Sequence, residues 1–581
     1  MILNWEQGQD NNWQAVLWRE LSNEKTAHFA ALKQLFLEKL SLGQVSASLF
    51  PERVMIFGIS VLPPSYVEIL EAVSSLIEVH FFLLNPSAEY WDDILSPREI
   101  SQHIKNISKK NRKKTVNSEL LHIDQGNPLL ASLGKAGRDF IVKLHNTTDE
   151  ISFAAEPDET NSPTLLQSIQ SDIFHLRNRT DHLSPPCKIA QSDKSIQVHS
   201  CHSPMREVEI LYDNLLSMFE NDSTLTPSDI VVMTPNIDLY APFIKAVFNA
   251  CEEARMKIPF SIADRSFRSE SSMTEHFLAM LELPESRFTI KSILDLLESP
   301  QIRSSFDIRT QDLSKIRNWL INSNIRWGID ETALKSLGLP EFTSNTWDAG
   351  ISRLLLGYAL PSNKEKLFKG IAGFDDIEGS DSEIFGNFLN FYTALVNFRK
   401  LLQKNYSVSE WAELLSSGIS RFFKALPENE HEIIALRNCL YDLGKSAAEA
   451  DFTDQVDIGL FRTAFSENIS GINHSPGFIT GGVTFCAMLP MRSIPFRVIC
   501  LIGFNEDTFP RKSVYHSWDL IAQNPKPGDR SLQFEDRYLF LETILSARDI
   551  WYVSYVGSSN NGANSRKPSV MVDEVLDYIR S

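Results

Sequence analysis

The sequence predicts an α/β protein: parallel sheet toward both ends of the chain, interrupted by a large inserted helical domain. Three observations carry this. Compact apolar runs, such as Arg53-Val54-Met55-Ile56-Phe57-Gly58-Ile59, Asp229-Ile230-Val231-Val232-Met233 and Val498 to Gly503, read as buried parallel strands. The stretches between neighbouring runs carry helical spacing, which makes strand–helix–strand units. From about residue 266 to 470 helical spacing continues with no strand signal.

The elements follow in order. After the strand at 53–59, Pro63-Pro64 stands where a helix begins, since proline's missing N–H costs little in a first turn. Tyr66, Ile69, Leu70 and Val73 keep helical spacing, and Val79 to Leu84 is a second buried strand. Residues 101–190 are polar and interrupted, with ordered islands at Asn127 to Phe140 and Leu165 to Leu176. Ile196 to His199 alternates like a strand, and a helix opens at Met205. The strand at 229–233 leads into a helix from Tyr240 to Ala250, and Ile258 to Ile262 closes another crossover. In the helical stretch, Ser407-Val408-Ser409-Glu410 has capping-box form ahead of Trp411, Leu414 and Leu415. Strands return at Val483 to Cys486 and Val498 to Ile502, followed by a helix from Asp536 to Ala547. The strand Trp551 to Tyr555 and a last helix, Val570 to Ile579, close the chain. The expected divisions are 1–100, 101–190, 191–265, 266–470 and 471–581.

Composition excludes several classes. The 581 residues carry a net charge of −18, which does not advertise nucleic-acid binding. The one dense basic run, Lys109-Lys110-Asn111-Arg112-Lys113-Lys114, reads as a solvated insertion. Six cysteines without a CxxC pair argue against a zinc site or disulfide framework, and thirteen histidines without an HExxH spacing against another metal site. No apolar run approaches the ~20 residues that cross a bilayer. The amino terminus lacks the basic start and apolar stretch of a secretion signal. A cytoplasmic protein with no membrane association is expected.

The order α/β, helical insertion, α/β resembles the second motor domain of superfamily-1 DNA helicases, which are built from RecA-like domains. The segments 229–233 and Ile258-Pro259-Phe260 resemble that family's fourth motif, 483–510 its fifth, and Glu535 to Glu542 the start of its sixth. Segment 53–84 resembles the acidic strand and turn of the first motor domain. The chemistry is missing from each. ATP hydrolysis needs a phosphate cradle, carboxylates for metal and water, and arginines at the γ-phosphate. No GxxxxGK[ST] loop occurs, and Gly58-Ile59-Ser60 stands where an Asp-Glu pair is needed. Leu489, Ser493 and Pro495 match the His, Gly and Glu of the fifth motif, and Ser546 stands in the slot of the sixth-motif arginine. Serine cannot replace a guanidinium whose contact is worth roughly 10³–10⁵ in rate. Arg537 and Arg548 lie nearby but outside that slot. The helicase-like domains read as catalytically degenerate, with no catalytic, nucleotide-binding or metal residue of their own.

A packing frame without chemistry resembles the RecC family of subunits of the bacterial RecBCD enzyme, exodeoxyribonuclease V. Stretches similar to that family include Asn127-Pro128-Leu129-Leu130-Ala131-Ser132, Cys201-His202-Ser203-Pro204, Arg326-Trp327-Gly328-Ile329-Asp330 and Leu355-Leu356-Gly357-Tyr358-Ala359. Leu489 to Phe496, Lys526 to Ser531 and Asp536 to Glu542 extend the likeness over most of the chain. The resemblance implies a partial chain lacking both ends of the family's length. Residues 1–100 would be the end of a degenerate first helicase-like domain and 101–190 a connecting region. Residues 191–265 and 471–581 would form the second such domain, around a 2B-like insertion at 266–470. It further implies a non-catalytic DNA-channel and scaffold subunit in double-strand break repair and recombination. Its partners would be RecB-like and RecD-like subunits in a heterotrimer, with DNA ends and single-stranded DNA, and ATP and Mg²⁺ would be used by those partners.

Arg492, Arg511, Lys512 and Arg530 are the candidate phosphate contacts, each beside a motif that faces DNA in motors of this fold. Asn505, in the acidic turn Asn505-Glu506-Asp507, is a candidate base contact. Trp518 and Phe509 are either base-stacking or core aromatics. Two other readings stay open on the residues alone: a remnant that no longer assembles, and an active ATP-dependent helicase, opposed at each catalytic position.

Overall fold

The computed structural model describes residues 1–22, 28–96, 100, 126–145, 163–179, 189–250, 253, 256–263, 271–336, 338–340, 342–360, 367–426, 429–470, 481–489, 493–513, 516–526, 528–557 and 566–580. The basic run at 109–114 lies outside them. The chain divides into two compact units, one formed by residues 1–264 with 476–581 and the other by 265–475.

In the first unit, a six-stranded sheet is built from β3 (Ile196–Cys201), β4 (Ile230–Thr234), β5 (Phe260–Ile262), β6 (Val483–Ala487), β7 (Phe496–Leu501) and β8 (Ala547–Val556). Its order is β3-β8-β7-β4-β6-β5, and every pairing is parallel. β4 lies between β6 and β7, so the sheet closes only after the chain has returned from 265–475. β4 and β5 lie parallel in one sheet, as the expected crossover requires, with β6 inserted between them.

The run Ile230 to Thr234 is buried throughout because helices cover both faces. Val231, Met233, Ile499, Leu501, Trp551 and Val553 share one core with residues of helices Pro128–Leu133, Leu165–Phe174, Leu532–Ser546 and Val570–Arg580. The alternate residues Ile230, Val232, Val498, Cys500 and Tyr552 pack with helices Pro204–Asn221 and Ile237–Ala250. The two-residue period of a strand sends successive side chains into opposite cores. Helix Leu532–Ser546 starts four residues before its expected position and runs straight into β8.

A second, two-stranded parallel sheet pairs β1 (Arg53–Phe57) with β2 (Glu78–Phe82), Val54 opposite Val79. The expectation of two fully buried strands is corrected here. Met55, Phe57 and Phe82 are exposed. Val67, Phe140 and Leu144 form a small core on the other side, with Phe81 against it.

The unit 265–475 is helical, with its own core around Trp347, Trp411, Phe277, Phe388 and Phe391. The indole N–H of Trp347 donates to the Phe288 carbonyl (2.7 Å) and that of Trp411 to the Val456 carbonyl (2.9 Å). Large aromatic rings are thus buried without leaving a donor unpaired. The capping box at Ser407 and Glu410 forms as the sequence predicts. Among the described residues no helix is long and apolar enough to cross a membrane.

Candidate functional site

Three of the serines singled out in the sequence, Ser60, Ser493 and Ser546, lie close to one buried carboxylate. Glu542 lies on the buried face of helix Leu532–Ser546, among Tyr538, Leu539, Phe540, Leu541 and Ile544. Ser60 reaches it from the turn after β1, where Gly58 adopts φ +69° and donates its N–H to the Phe82 carbonyl. The Ser60 hydroxyl donates to Glu542 Oε1, and Ser493 Oγ donates to the same oxygen at 3.1 Å. Ser493, Glu542 and Ser546 line one cavity with Met233, Met488, Ile499, Leu539 and Thr543. Its volume, about 10 Å³, is that of about one water. A small-molecule site needs hundreds of Å³. The carboxylate accepts from serine hydroxyls, and a cavity of this size does not admit a phosphate group. Leu489 and Pro495 are exposed and take no part in lining this cavity.

A second buried carboxylate sits where β7 and β8 end. Glu207, in the first turn of helix Pro204–Asn221, accepts from Tyr240 Oη and Ser554 Oγ (both 2.6 Å) and from the Gly503 N–H (2.8 Å). Burial pushes its carboxyl above the usual range against the pull of these three bonds. Burial and Glu207 together push the Tyr240 phenol up. Gly503 has φ +77°, and a Cβ there would lie 2.8 Å from the Tyr240 ring, so the close approach requires glycine. Glu207 thereby holds the point at which β7 turns into the loop 503–513.

That loop carries most of the candidate contacts. Asn505 is buried: Nδ2 donates to the Val556 carbonyl (2.8 Å) and Oδ1 accepts from the Val556 N–H (3.2 Å). Its amide ties the loop to the end of β8 and leaves no edge for a base, which corrects the expectation for this residue. Phe509 is a core aromatic, 5.1 Å from Phe504.

Arg511 meets the fully buried Asp536 through Nε and Nη2 (2.6 Å at the shortest), and its backbone N–H donates to the same carboxylate. That hydrogen bonding raises the guanidinium pKa. Arg530 donates to Glu535 at 2.9 Å, with its side chain 69% exposed. Arg511 and Arg530 therefore converge on adjacent carboxylates, Asp536 and Glu535, near the start of one helix, and each charge is balanced locally. Lys512 is exposed, with no ion pair among the described residues. Arg492 lies outside the described residues. Arg537 donates to Ser132 and Glu574, and so joins three helices.

Sequence reasoning missed Glu207, Asp536 and Glu542 as organising groups. A carboxylate inside a run such as Tyr538-Leu539-Phe540-Leu541-Glu542-Thr543-Ile544 is a signal that could have found one of them, because an unpaired buried charge is expensive. Among the described residues there is no His, Cys, Asp and Glu group able to hold a metal. The Cys201 thiol is pushed up to about 11, chiefly by burial, and so is unreactive at neutral pH.

Fold and site together define a parallel α/β protein with a helical insertion, in which buried carboxylates organise the strand ends. Comparison with known proteins agrees with one family. A family model for the "RecC, N-terminal domain" matches residues 1–176, and one for the "RecBCD enzyme subunit RecC fourth domain" matches 270–473. RecBCD enzyme subunit RecC of Escherichia coli (strain K12) is 36% identical over 98% of this chain and 53% of its own length. That of Haemophilus influenzae is 36% identical over 98% of this chain and 52% of its own, and that of Mycolicibacterium smegmatis 30% identical over 100% and 52%. The chain belongs to the RecC family, and it spans about half the length of the curated relatives it matches.

Proposed function

We propose that this chain is a non-catalytic scaffold and DNA-channel subunit of a RecBCD-type helicase and nuclease. In this reading it is a degenerate RecA-like, superfamily-1 frame that guides strands split at duplex ends during double-strand break repair and recombination. A RecB-like motor-nuclease and a RecD-like motor would supply ATP, Mg²⁺ and hydrolysis. One observation supports the reading: Ser60 and Ser493 close on Glu542, with Ser546 lining the adjoining cavity of about 10 Å³. Family membership supports it. Lys512 and Arg530 are two of the described cations presented to solvent near the 503–513 loop, and they are the proposed phosphate contacts, with Arg492 to be added to the test.

The test is co-expression with a RecB-type subunit, co-purification, and ATPase and nucleotide-binding measurements on the chain alone and in the complex. The expected outcome is a stable complex, with no ATP hydrolysis and no saturable binding of a fluorescent ATP analogue by the chain alone. ATP turnover by the isolated chain, lost on Glu542→Ala, would establish the active-helicase reading instead. A folded chain that binds no RecB-type partner would establish the remnant reading.

A further inference from the structure

An apolar cleft in the first unit takes no part in the reading above. Helix Trp13–Ser22 presents Trp13, Leu17 and Leu21 as an exposed stripe at i, i+4 and i+8, Trp13 at 61% and Leu21 at 71% exposure. Opposite them stand Trp518 and Ile521, also half-exposed, and the two walls touch. Trp13 and Trp518 meet edge to face at 6.5 Å, and Gln14 Nε2 donates to the Trp518 carbonyl. Trp5 and Trp18 complete the cleft, which encloses about 360 Å³. The indole N–H of Trp5 is buried without an acceptor among the described residues. Eight residue-to-residue steps of helix make the stripe about 12 Å long, a little over two helical turns.

Charge selects the occupant. The two segments that line the cleft, 1–22 and 516–524, carry Glu6, Asp10, Glu20 and Asp519 against one arginine, Arg19. Arg19 donates to the carbonyls of Trp5 and Asp10 and to Asn11 Oδ1, so its guanidinium is turned inward. Of these carboxylates Asp519 itself lines the cleft, so a nucleobase stacked on Trp518 would bring its phosphate beside a negative charge. A helix with large apolar side chains at i, i+3, i+4 and i+7 fits the walls, and lysine or arginine beside that stripe fits Asp519 and the net negative charge of the two segments. Exposed apolar patches of this kind mark interaction surfaces, and tryptophan is enriched among residues that dominate binding energy. We infer that this cleft docks a basic amphipathic α-helix of a partner protein, with Trp13, Leu17 and Leu21 on one wall and Trp518 and Ile521 on the other.

The test titrates the full chain with a fluorescein-labelled leucine–lysine amphipathic peptide, its leucine–glutamate counterpart, and oligo(dT). The variants are Leu17→Glu and Ile521→Glu, checked for folding by circular dichroism, with Leu21→Glu in reserve should either misfold. Leu460→Glu, an exposed leucine of the helical unit, is the control. The lysine peptide should bind saturably, and each cleft variant should weaken it about tenfold or more. Each variant adds negative charge, so a merely electrostatic attraction would strengthen instead. Leu460→Glu should leave binding unchanged. Four results would overturn the inference: no saturable binding by the parent chain, variants that bind equally or better, loss of oligo(dT) binding in the same variants, or a parent-chain dimer in sedimentation that those variants abolish. The third assigns the cleft to nucleic acid and the fourth to a second copy of the chain.

Discussion

Ser60→Asp places a second carboxylate against Glu542, and the structure dictates that it destabilises the chain. Ser60 and Glu542 are both buried and in direct hydrogen-bond contact. Two carboxylates about 4 Å apart repel by about 4 kcal/mol at an effective dielectric of 20. The pair can relieve this by holding a proton. At pH 7.5, protonating a group with an ordinary pKa near 4.3 costs roughly 4 kcal/mol as well, so neither route escapes the penalty. For a unit of this size ~1.3 °C is lost per kcal/mol, which puts the drop in its melting temperature at about 5 °C. The assay is thermal unfolding followed by tryptophan fluorescence at pH 7.5 and pH 5.0. The deficit should be large at the higher pH and shrink at the lower, where the shared proton is nearly free. An unchanged melting temperature at pH 7.5 would refute the placement of Ser60 on Glu542. So would a gain of Mg²⁺-dependent ATP hydrolysis, because it would require a nucleotide space that the cavity does not have.

Burial raises the folded-state pKa of Glu207 above its ordinary 4.5, so the folded chain binds this proton more tightly than the unfolded one. Its contribution to stability therefore falls as pH rises from about 4.5 through the raised value. Glu207→Gln keeps an acceptor for Gly503 and Ser554 and can donate to Tyr240 Oη, so urea midpoints measured from pH 4.5 to 8 should decline less than those of the parent. Arg511→Ala leaves Asp536 buried with only the backbone N–H of residue 511, a loss of about 1–3 kcal/mol in chemical denaturation. Arg511→Lys should recover little of it, because the bidentate geometry is lost. In the helical unit a Cβ at Gly350 would lie 2.0 Å from Ile325 Cγ1, so Gly350→Ala should cost about 1–3 kcal/mol. Calorimetry should show that loss in the 265–475 transition alone.

Much of the fold is legible in the sequence because its signals are local. Ile230 to Met233 and Val498 to Leu501 can only be strands buried on both faces, and helices cover both. Pro64 opens its helix at the first position, and Ser407 with Glu410 caps another, each by an interaction within one turn. β1 and β2 show the limit of that reasoning. Their apolar runs are those of covered strands, yet cover depends on which helices lie above, and only one face has them.

The candidate site divides in the same way. Residue identities alone determine that Ser60 and Ser546 carry neither a carboxylate nor a guanidinium, whatever packs around them. Only the tertiary structure decides what occupies those places. Ser60, Ser493 and Glu542 are hundreds of residues apart at the extreme, and a hydrogen bond between them is set by how the β1 turn and helix Leu532–Ser546 meet. The same holds for charge. Arg511, Lys512 and Arg530 are equivalent cations in the sequence, but Asp536 and Glu535 balance two of them and leave Lys512 outward. Local propensity writes strands, helices and caps into the order of residues, whereas a buried carboxylate acquires its role from donors that only the folded chain brings within 3 Å or so.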